Sequence, residues 1–535
     1  MNLTMKKLEG LFKKWRMTII LLAVVILISL GLRLLKVFVG TQPIFADEAI
    51  YVRWAQVMKA EPTLRFLPLS DGKQPLYMWI LMFLLKPSFD PLITGRMLSV
   101  SMGILSNFGV FVLSYILFKS KKISLIASLL YAVSPFMIFF ESMALVDATL
   151  TAMGIWFFIF LLLAIRYFRF DLSMVSGFFL GGALLTKSPA VYFSILTPIT
   201  IFIESVGRIC KQTPVRCAKY FSRVLYYLFK YCILILPAIL IAYGMYNILR
   251  LGPNFHLISQ RNSDYIFPIS QIWTNPKDPF IFHIKEIIDW LWKLGPGVII
   301  FTILLGIIAG LKNYRRQTII LLAWIALPLF ANSMYAKVFT ARYILFVMPY
   351  IYIISSLFIL FKTKIQKLSY LMLALFIVSS IMVNYLLIYE IEKAPLPKSE
   401  RTGYLEEWTA GYGIKEVSEC LKIYQKNNPD DKLVIGTEGY FGTLPDGLQI
   451  YLNNNPEITV IGVGLSIKEL PNQLKESREA GNKTYLVINS SRLDGDPDSM
   501  GLKLIDSFPK PIRTIGTHDF YNYGPRETMY FFEVI

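Results

Sequence analysis

Two adjacent carboxylates, Asp47 and Glu48, follow the first long apolar stretch of the chain. Further charged residues stand near the ends of later apolar stretches, and these are Lys73, Asp147, Lys187 and Arg342. Ionisable residues at the mouth of a helix bundle in a membrane are candidates for function. A carboxylate that faces several cations suits chemistry on a phosphate ester, because the carboxylate can accept a proton while the cations hold the phosphate.

We interpret Asp47 as the general base of such a site. Adjacent residues on a helix point about 100° apart, so Glu48 is not expected to share the task of Asp47. Glu48 instead orients the acceptor or holds the loop. The alternative is that both residues are solvated acids beside the membrane.

The basic candidates are suited to binding a phosphate. Lys73 lies in a turn before a short helix, and Lys187 ends an apolar stretch. Arg342 opens another stretch, where its guanidinium can bind two phosphate oxygens at once. Each of the three also fits an anchor at the membrane interface. Arg96 either joins them or pairs with a carboxylate of the first loop.

Asp147 begins an apolar stretch in Leu145-Val-Asp147-Ala-Thr-Leu-Thr151. We interpret it as a residue that orders the site. The alternative is a purely local role, because the N-terminus of a helix stabilises a negative charge.

The composition is typical of a polytopic membrane protein. Of the 535 residues, 55% are hydrophobic and only 17% are charged. Runs of about twenty apolar residues, enough to cross ~30 Å of hydrocarbon as helix, recur along the first three quarters of the chain. We predict eleven spans, near 17–39, 93–118, 123–140, 145–165, 172–186, 189–206, 226–249, 296–311, 317–334, 342–361 and 368–389.

The basic residues between the spans predict the orientation. They crowd into every second loop, at 6–16, 119–122, 166–169, 208–223, 312–316 and 362–367. The positive-inside rule therefore places the N-terminus in the cytoplasm and the C-terminus outside. The same loops, beside anionic lipids, explain much of the net charge of +18 without nucleic acid as a partner.

Two external loops are long enough to carry function. Residues 40–92 include two short amphipathic helices, Ala49–Met58 and Pro75–Leu85, whose aromatic residues predict a position along the membrane surface. Residues 250–293 contain His256 and His283, which are the candidate ligands for a divalent metal, although no spacing identifies a metal site. Four cysteines, at 210, 217, 232 and 420, support neither a disulfide framework nor a zinc pattern.

After residue 392 the hydrophobic period changes, and 393–535 is predicted to be an external soluble α/β domain. Short β-branched runs predict strands at 432–436, 458–462, 485–488 and 529–533. Helices are expected near 412–427 and 466–480. A Gly-Thr-Glu-Gly run after the first strand matches no phosphate-binding fingerprint and predicts a turn.

An ordered series of motifs resembles the GT-C glycosyltransferases of the protein O-mannosyltransferase and aminoarabinose-transferase type. The motifs are Phe45-Ala-Asp47-Glu48-Ala-Ile-Tyr51, Gly72-Lys73-Gln-Pro75-Leu-Tyr77-Met-Trp79, Ser134-Pro135, Asp147-Ala-Thr-Leu-Thr151, Gly181-Gly-Ala-Leu-Leu-Thr-Lys187-Ser-Pro189 and Arg342-Tyr343 with Pro349. They cover the membrane region, residues 1–392. The resemblance implies a GT-C fold with the α/β domain appended to it.

The resemblance also implies a reaction and a set of roles. Asp47 stands where the family keeps its catalytic aspartate. The residues Lys73, Asp147 and Arg342, with Tyr343, stand where the family binds the lipid phosphate and orders the site. The expected reaction is an inverting transfer of one sugar from a polyprenyl-phosphate donor to a hydroxyl of a protein, lipid or polysaccharide on the external face of a bacterial or archaeal cell membrane.

Two departures from the family pattern concern the first loop. Gln74 replaces the usual first proline after the lysine, and Gly72 stands where aminoarabinose transferases carry a metal-binding glutamate. The sequence therefore leaves open whether the protein binds a divalent metal.

Two other functions also agree with parts of the sequence. An oligosaccharyltransferase or glycan ligase would move a whole glycan from a pyrophosphate lipid, but the Trp-Trp-Asp type motif of the former is missing. A transporter with an external sensor domain would also have many helices. Transporters usually place charges near the middle of the bilayer, whereas these charges gather at one face.

Overall fold

The structure is a computed structural model that describes residues 2–212, 217–361 and 364–535. Two of the basic residues used to predict the orientation, Arg216 and Lys362, lie outside the described residues. Of the four cysteines, Cys232 and Cys420 have described side chains, and both are exposed free thiols.

Seventeen α-helices precede residue 390 in the described part of the chain. They are α1 Asn2–Phe38, α2 Ala46–Ala60, α3 Leu76–Leu84, α4 Pro91–Phe118, α5 Lys121–Val133, α6 Pro135–Glu141, α7 Val146–Tyr167, α8 Phe170–Leu184, α9 Val191–Gln212, α10 Cys217–Asn247, α11 Leu257–Tyr265, α12 Gln271–Thr274, α13 Phe280–Lys293, α14 Val298–Asn313, α15 Arg315–Tyr335, α16 Met348–Ser355 and α17 Lys364–Tyr389. Single 3-10 turns connect several of them, among them Ala341–Val347 just before α16.

Eight helical stretches of the described residues are long and apolar enough to cross a membrane, and two bent pairs raise the number to ten. The pairs are α5 with α6, bent by 57° at Ser134-Pro135, and α13 with α14, bent by 105°. The predicted span 172–186 corresponds to α8, a shorter apolar helix of 15 residues. Each predicted span falls on an apolar helix. The number of membrane spans, predicted to be eleven, stays a prediction.

Many large apolar side chains on these helices are exposed on the outside of the bundle. Leu27 on α1, Phe229 on α10 and Met382 on α17 are each more than 60% exposed. Such a surface agrees with helices that contact lipid, because contiguous apolar patches are rare on soluble monomers. The chain is therefore an integral, multi-pass membrane protein.

The first long loop, residues 40–92, folds onto the helices. It contains strand β1, Ile44–Phe45, followed at once by α2, and later α3. The aromatic residues expected at the membrane surface are mostly in the protein core, since Tyr51, Trp54 and Tyr77 are buried and only Trp79 is half-buried. Their burial holds α2 and α3 against the bundle.

The C-terminal region contains the remaining elements. Its helices are α18 Lys398–Arg401, α19 Ile414–Asn427, α20 Asp446–Leu452, α21 Asn472–Glu479 and α22 His518–Tyr523, and its strands are β2 Ala410–Gly411, β3 Leu433–Glu438, β4 Ile458–Gly464, β5 Lys483–Asn489, β6 Leu502–Ile512 and β7 Arg526–Val534. The five longer strands form one sheet in the order β4-β3-β5-β7-β6. Strands β3, β4 and β5 are parallel, and β7 runs antiparallel to β5 and β6.

All four predicted strands are present, and the sequence analysis missed β6 of the five-stranded sheet and the two short strands β1 and β2. Pro509 and Pro511 interrupt the strand pattern of β6. Proline is tolerated there because β6 lies at the edge of the sheet, where one side needs no hydrogen-bonded neighbour.

The C-terminal region is joined to the first long loop by backbone pairing. Strand β1 pairs antiparallel with β2, with Phe45 opposite Ala410. The amide of Ala46 donates to the carbonyl of Thr409 at 3.0 Å. The largest buried apolar cluster also continues from the membrane helices into α19 and the sheet. The soluble domain therefore packs directly against the residues that precede Asp47.

Candidate active site

Helix α2 begins immediately after β1, so its first turn is held between the membrane helices and the C-terminal domain. Asp47 and Glu48 both lie in this turn. Their side chains leave the helix in different directions, as the helical spacing predicts. They enter two different environments.

Asp47 lies between two cations. Its Oδ2 is 2.6 Å from Nη2 of Arg342, and its Oδ1 is 3.4 Å from Nζ of Lys73. The side chains retain some access to solvent, with exposed fractions of 17% for Asp47, 24% for Lys73 and 11% for Arg342. The three residues therefore form a charged cluster that a ligand can reach.

The cations set the protonation of Asp47. Burial alone would raise its pKa, but the positive charges of Lys73 and Arg342 outweigh burial and hold the pKa well below its usual range. Asp47 is therefore a carboxylate over the whole physiological pH range.

Lys73 reaches the cluster from a turn made by Gly72. This glycine has a φ of +67°, a left-handed conformation that side chains disfavour. A Cβ there would also lie 2.8 Å from Cβ of Arg261 on α11. The ammonium of Lys73 pairs with Asp71 at 3.2 Å, and the nearby carboxylates help to raise its pKa despite burial.

Two aromatic rings also lie near the ammonium of Lys73. Its Nζ lies 5.2 Å from the ring centre of Tyr51 and 5.5 Å from that of Trp54, distances at which a ring face attracts a cation. The lysine is therefore held inside the cluster and does not extend outward as an interfacial anchor would.

Arg342 and Tyr343 occupy the 3-10 turn Ala341–Val347. The guanidinium carbon of Arg342 lies 5.4 Å from the ring centre of Phe45 and 5.5 Å from that of Tyr343. Both distances are within the range of a cation–π attraction, which helps to hold the guanidinium beside Asp47. The Nε of Arg342 is buried and has no hydrogen-bond partner among the described residues.

A second ion pair adjoins the first through Tyr343. Nζ of Lys187 donates to Oδ1 of Asp147 at 2.7 Å and lies 4.3 Å from the ring centre of Tyr343. Burial lowers the pKa of Lys187 although Asp147 opposes the shift. Asp147 makes no side-chain capping bond at the start of α7, and within the described chain its buried Oδ2 has no partner.

Glu48 is enclosed in the protein. Its carboxylate forms two bonds to Arg96, each 2.9 Å long, and also accepts from the amides of Phe45 and Ala144 at 3.0 and 2.8 Å. The side chain of Glu48 is fully buried. Glu48 and Arg96 thus tie the start of α2 to α4 and to the segment before Asp147.

Within the described residues, neither of the two histidines proposed as metal ligands forms a hydrogen bond or ion pair with the cluster. Nδ1 of His283 is 3.0 Å from the carbonyl oxygen of Ser333, and its ring packs 4.6 Å from that of Phe339. His256 precedes α11 and is exposed. The part of the chain that was searched contains no group of three or more metal-ligating side chains, so these residues do not fit a metal centre.

Three residues of the site were not singled out from the sequence. Asp71 forms ion pairs with both Lys73 and Arg261. Its position two residues before Lys73 is the signal in the sequence that could have identified it. Arg261 comes from the second long loop, residues 250–293, where no pattern marked it. Glu400 comes from the C-terminal domain. It reaches the site only because that domain packs against the membrane helices.

Glu400 caps the turn that carries Arg342. Its Oε1 accepts from the amide of Ala341 at 2.8 Å, while its buried Oε2 has no partner among the described residues. Burial raises the pKa of Glu400 to about 7, although the nearby Arg342 opposes the shift. The C-terminal domain therefore contacts both sides of the cluster, at Ala46 and at Ala341.

Comparison with known proteins identifies the fold. No family model and no curated protein matches the sequence. The structure is similar to ArnT from Cupriavidus metallidurans bound to undecaprenyl phosphate, with a TM-score of 0.54, 12% identity and coverage of 96% of this chain and 98% of that chain. The same protein without ligand gives a TM-score of 0.51, 13% identity and coverage of 96% and 97%.

A third similar structure is the archaeal oligosaccharyltransferase AglB from Archaeoglobus fulgidus, in complex with an inhibitory peptide and a dolichol-phosphate. Its TM-score is 0.49 at 13% identity, covering 92% of this chain and 73% of that chain. The similarity to ArnT extends over both the membrane helices and the C-terminal domain and confirms the predicted fold class. The chain therefore has the GT-C fold, the fold of the superfamily that its motifs resemble.

Proposed function

We propose that this protein is a membrane glycosyltransferase that moves a single sugar from a polyprenyl-phosphate donor to an acceptor hydroxyl. The observation that carries the proposal is the partly exposed cluster in which Asp47 lies between Arg342 and Lys73. The ArnT structure with undecaprenyl phosphate bound supports a polyprenyl phosphate as the lipid.

The cations of the cluster suit the phosphate of the donor. Arg342, Lys73 and Lys187 together carry more positive charge than Asp47 and Asp147 neutralise. A phosphate that enters the cluster competes with Asp47 for Arg342 and Lys73. As these cations turn toward the phosphate, Asp47 loses part of their stabilisation, so its pKa rises and its carboxylate becomes a stronger base.

The reaction then needs one base and no general acid. Asp47 accepts the proton of the acceptor hydroxyl while the acceptor oxygen forms a bond to the anomeric carbon of the sugar. The bond between that carbon and the phosphate oxygen breaks, and the polyprenyl phosphate leaves with the electron pair. Attack from the opposite face inverts the anomeric centre.

Arg342 and Lys187 supply the largest stabilisation of the leaving phosphate, whereas Lys73 chiefly binds the donor. Fixed donors aimed at developing negative charge contribute about 2.7–4 kcal/mol each when they are removed one at a time. Asp147 holds Lys187, and the rings of Phe45 and Tyr343 hold Arg342, so these cations need little reorganisation during the reaction.

The topology of the proposed enzyme follows from the positive-inside rule. The N-terminus would be cytoplasmic, and the cluster and the C-terminal domain would face the outside of a bacterial or archaeal cell membrane. A lipid-linked donor fits this side, because nucleotide sugars are confined to the cytoplasm. The acceptor would be a protein, a lipid or a polysaccharide.

The test is transfer from defined donors. Purified protein is incubated with radiolabelled polyprenyl-phosphate mannose, glucose or arabinose and native membranes, and the labelled product is followed. We expect transfer from at least one monophosphate donor and none after Asp47→Asn. Transfer only from pyrophosphate-linked oligosaccharides would instead favour the ligase, and no transfer from either class would contradict both.

A further inference from the structure

A cavity of about 790 Å³ lies between the first long loop and the C-terminal domain. It is lined by the end of α2, the loop between α3 and α4, helix α19 and the end of α20. None of the cluster residues Asp47, Lys73, Asp147, Lys187 and Arg342 lines it. The cavity is therefore separate from the candidate active site.

The charge of the cavity wall is positive. Four lysines line it against two acids, and these residues are Lys59, Lys86, Lys415, Lys422, Asp90 and Glu419. Lys415 pairs with Asp90 at 3.4 Å. In the described part of the chain, neither Lys86 nor Lys422 forms an ion pair with a carboxylate. Lys59 donates to the backbone carbonyl of Leu85, and with Glu419 included the lysines exceed the acids by two, so the cavity wall presents a net positive charge to an anion.

The cavity lies at the membrane end of a spanning helix. The loop that lines it, from Leu85 to Pro91, leads directly into α4, which is long and apolar enough to cross a bilayer. Three large apolar side chains next to the cavity point outward, with exposed fractions of 74% for Phe83, 44% for Leu84 and 59% for Phe89. Such residues beside lysines are typical of a protein surface that enters the interface of a bilayer.

The cavity and the proposed binding site of the donor phosphate lie at opposite ends of α2. Asp47 and Lys59 are twelve residues apart on one helix, which corresponds to about 18 Å. A phosphate held by the cavity lysines is therefore too far away to contact the cations around Asp47. A second lipid could occupy the cavity while the donor occupies the cluster.

We propose that this cavity binds the headgroup of an anionic phospholipid from the surrounding bilayer. The lipid phosphate would contact Lys86 and Lys422, and the acyl chains would lie along Phe83 and Leu84. A zwitterionic lipid gains less, because its own positive charge repels the lysines. The inference does not depend on the proposed function.

The test is lipid binding to the full chain in detergent, measured by native mass spectrometry. Phosphatidylglycerol and phosphatidylcholine are titrated separately, and we expect phosphatidylglycerol to bind several-fold more tightly. Each lysine near an anionic lipid contributes a factor of about five, so the double variant Lys86→Gln/Lys422→Gln should bind phosphatidylglycerol about 25-fold more weakly.

Two control variants separate the cavity from other basic surfaces. Lys426→Gln removes a charge from the same helix, α19, outside the cavity, and should change binding less than twofold. Lys73→Gln alters the donor cluster and should leave the cavity-dependent binding in place. Equal affinity for the two lipids, or a double variant that binds like the wild type, would contradict the proposal.

Inorganic phosphate distinguishes a lipid site from a simple anion site. If millimolar phosphate displaces phosphatidylglycerol no better than chloride at equal ionic strength, the headgroup and the chains act together, as proposed. If phosphate alone binds as tightly as the lipid, the cavity takes a free anion and the lipid assignment is wrong.

Discussion

Asp47 and Glu48 are neighbours in the chain, have the same charge, and lie in the same turn of α2, yet their surroundings differ. Glu48 is fully buried, and its two oxygens receive four hydrogen bonds. Asp47 is partly exposed, and its oxygens contact one arginine at 2.6 Å and one lysine at 3.4 Å. One carboxylate has all its bonding capacity used by the protein, whereas the other keeps capacity for a substrate.

The difference shows how a charged motif divides into two roles. A buried carboxylate with a full set of donors is costly to disturb and contributes to the position of its neighbours. A carboxylate whose ion pairs are partly exposed can exchange partners when an anionic ligand arrives. We therefore propose that Asp47 carries out the chemistry and that Glu48, with Arg96, positions it.

The largest expected effect is on turnover. Asp47→Asn removes the base, and sugar transfer should fall by about 10²- to 10⁴-fold. Donor affinity should stay the same or increase, because Arg342 and Lys73 no longer have a carboxylate to neutralise them. Transfer rate and donor binding are measured separately on the same preparation.

The matched control for this variant is Glu61→Gln, which neutralises an exposed acid at the opposite end of α2. It should retain full transfer. Full activity of Asp47→Asn, or a loss of activity that comes with loss of the folded state, would remove the basis for assigning the base.

The corresponding change at Glu48 should act on stability. Glu48→Gln leaves the guanidinium of Arg96 buried without its partner, and breaking a buried pair in this way costs about 3–5 kcal/mol. We expect a lower unfolding temperature in detergent. The double variant Glu48→Gln/Arg96→Met should recover part of the loss because no uncompensated charge remains. A stable Glu48→Gln that lacks only activity would reverse the comparison.

Glu400, unlike Asp47 and Glu48, is a buried carboxyl group that forms no ion pair in the described residues. Burial raises its pKa to about 7, whereas the unfolded chain has an ordinary value of about 4.3. The folded state therefore keeps a proton that the unfolded state releases, and stability should fall as pH rises from about 4.5 to 7. The loss should reach about 3 kcal/mol.

Glu400→Gln keeps an oxygen for the amide of Ala341 and cannot ionise. Its unfolding temperature, measured between pH 4.5 and 8, should lack that part of the decline. The exposed Glu416 on α19 is the control position, and Glu416→Gln should follow the wild-type profile. Parallel profiles for wild type and Glu400→Gln would show that the carboxyl does not titrate in this range.

The smallest expected effect is at Lys73. Lys73→Gln removes one charge-assisted contact to the donor but leaves Arg342 and Lys187, so the donor should bind about tenfold more weakly. The turnover at saturating donor should change much less. A larger loss of turnover than of affinity would place Lys73 in the stabilisation of the leaving phosphate.

Much of the site could be predicted from the sequence because its residues lie in short motifs with a common position relative to the spans. The structure brings Lys73 and Arg342 to Asp47, and Lys187 to Asp147. Arg96, for which pairing with the first loop was one alternative, contacts Glu48. The histidines lacked such a motif, and in the described part of the chain they form no hydrogen bond or ion pair with the cluster.

The aromatic residues of the first loop were predicted to lie along the membrane surface, but most of them are buried in the protein. Tyr51, Trp54 and Tyr77 have the composition of an interfacial belt, but their rings fill the space between α2, α3 and the bundle. An aromatic ring is suited to either environment, so its type alone does not decide between lipid headgroups and protein.

The sequence by itself determined the membrane helices, the soluble α/β domain and the charged residues of the first loop, since these depend on local hydrophobic period and on short motifs. Only the tertiary structure decided that β2 pairs with β1 beside Asp47 and that Glu400 caps the turn of Arg342. These contacts join residues more than fifty positions apart. They depend on how two packed regions meet, and no local pattern records that arrangement.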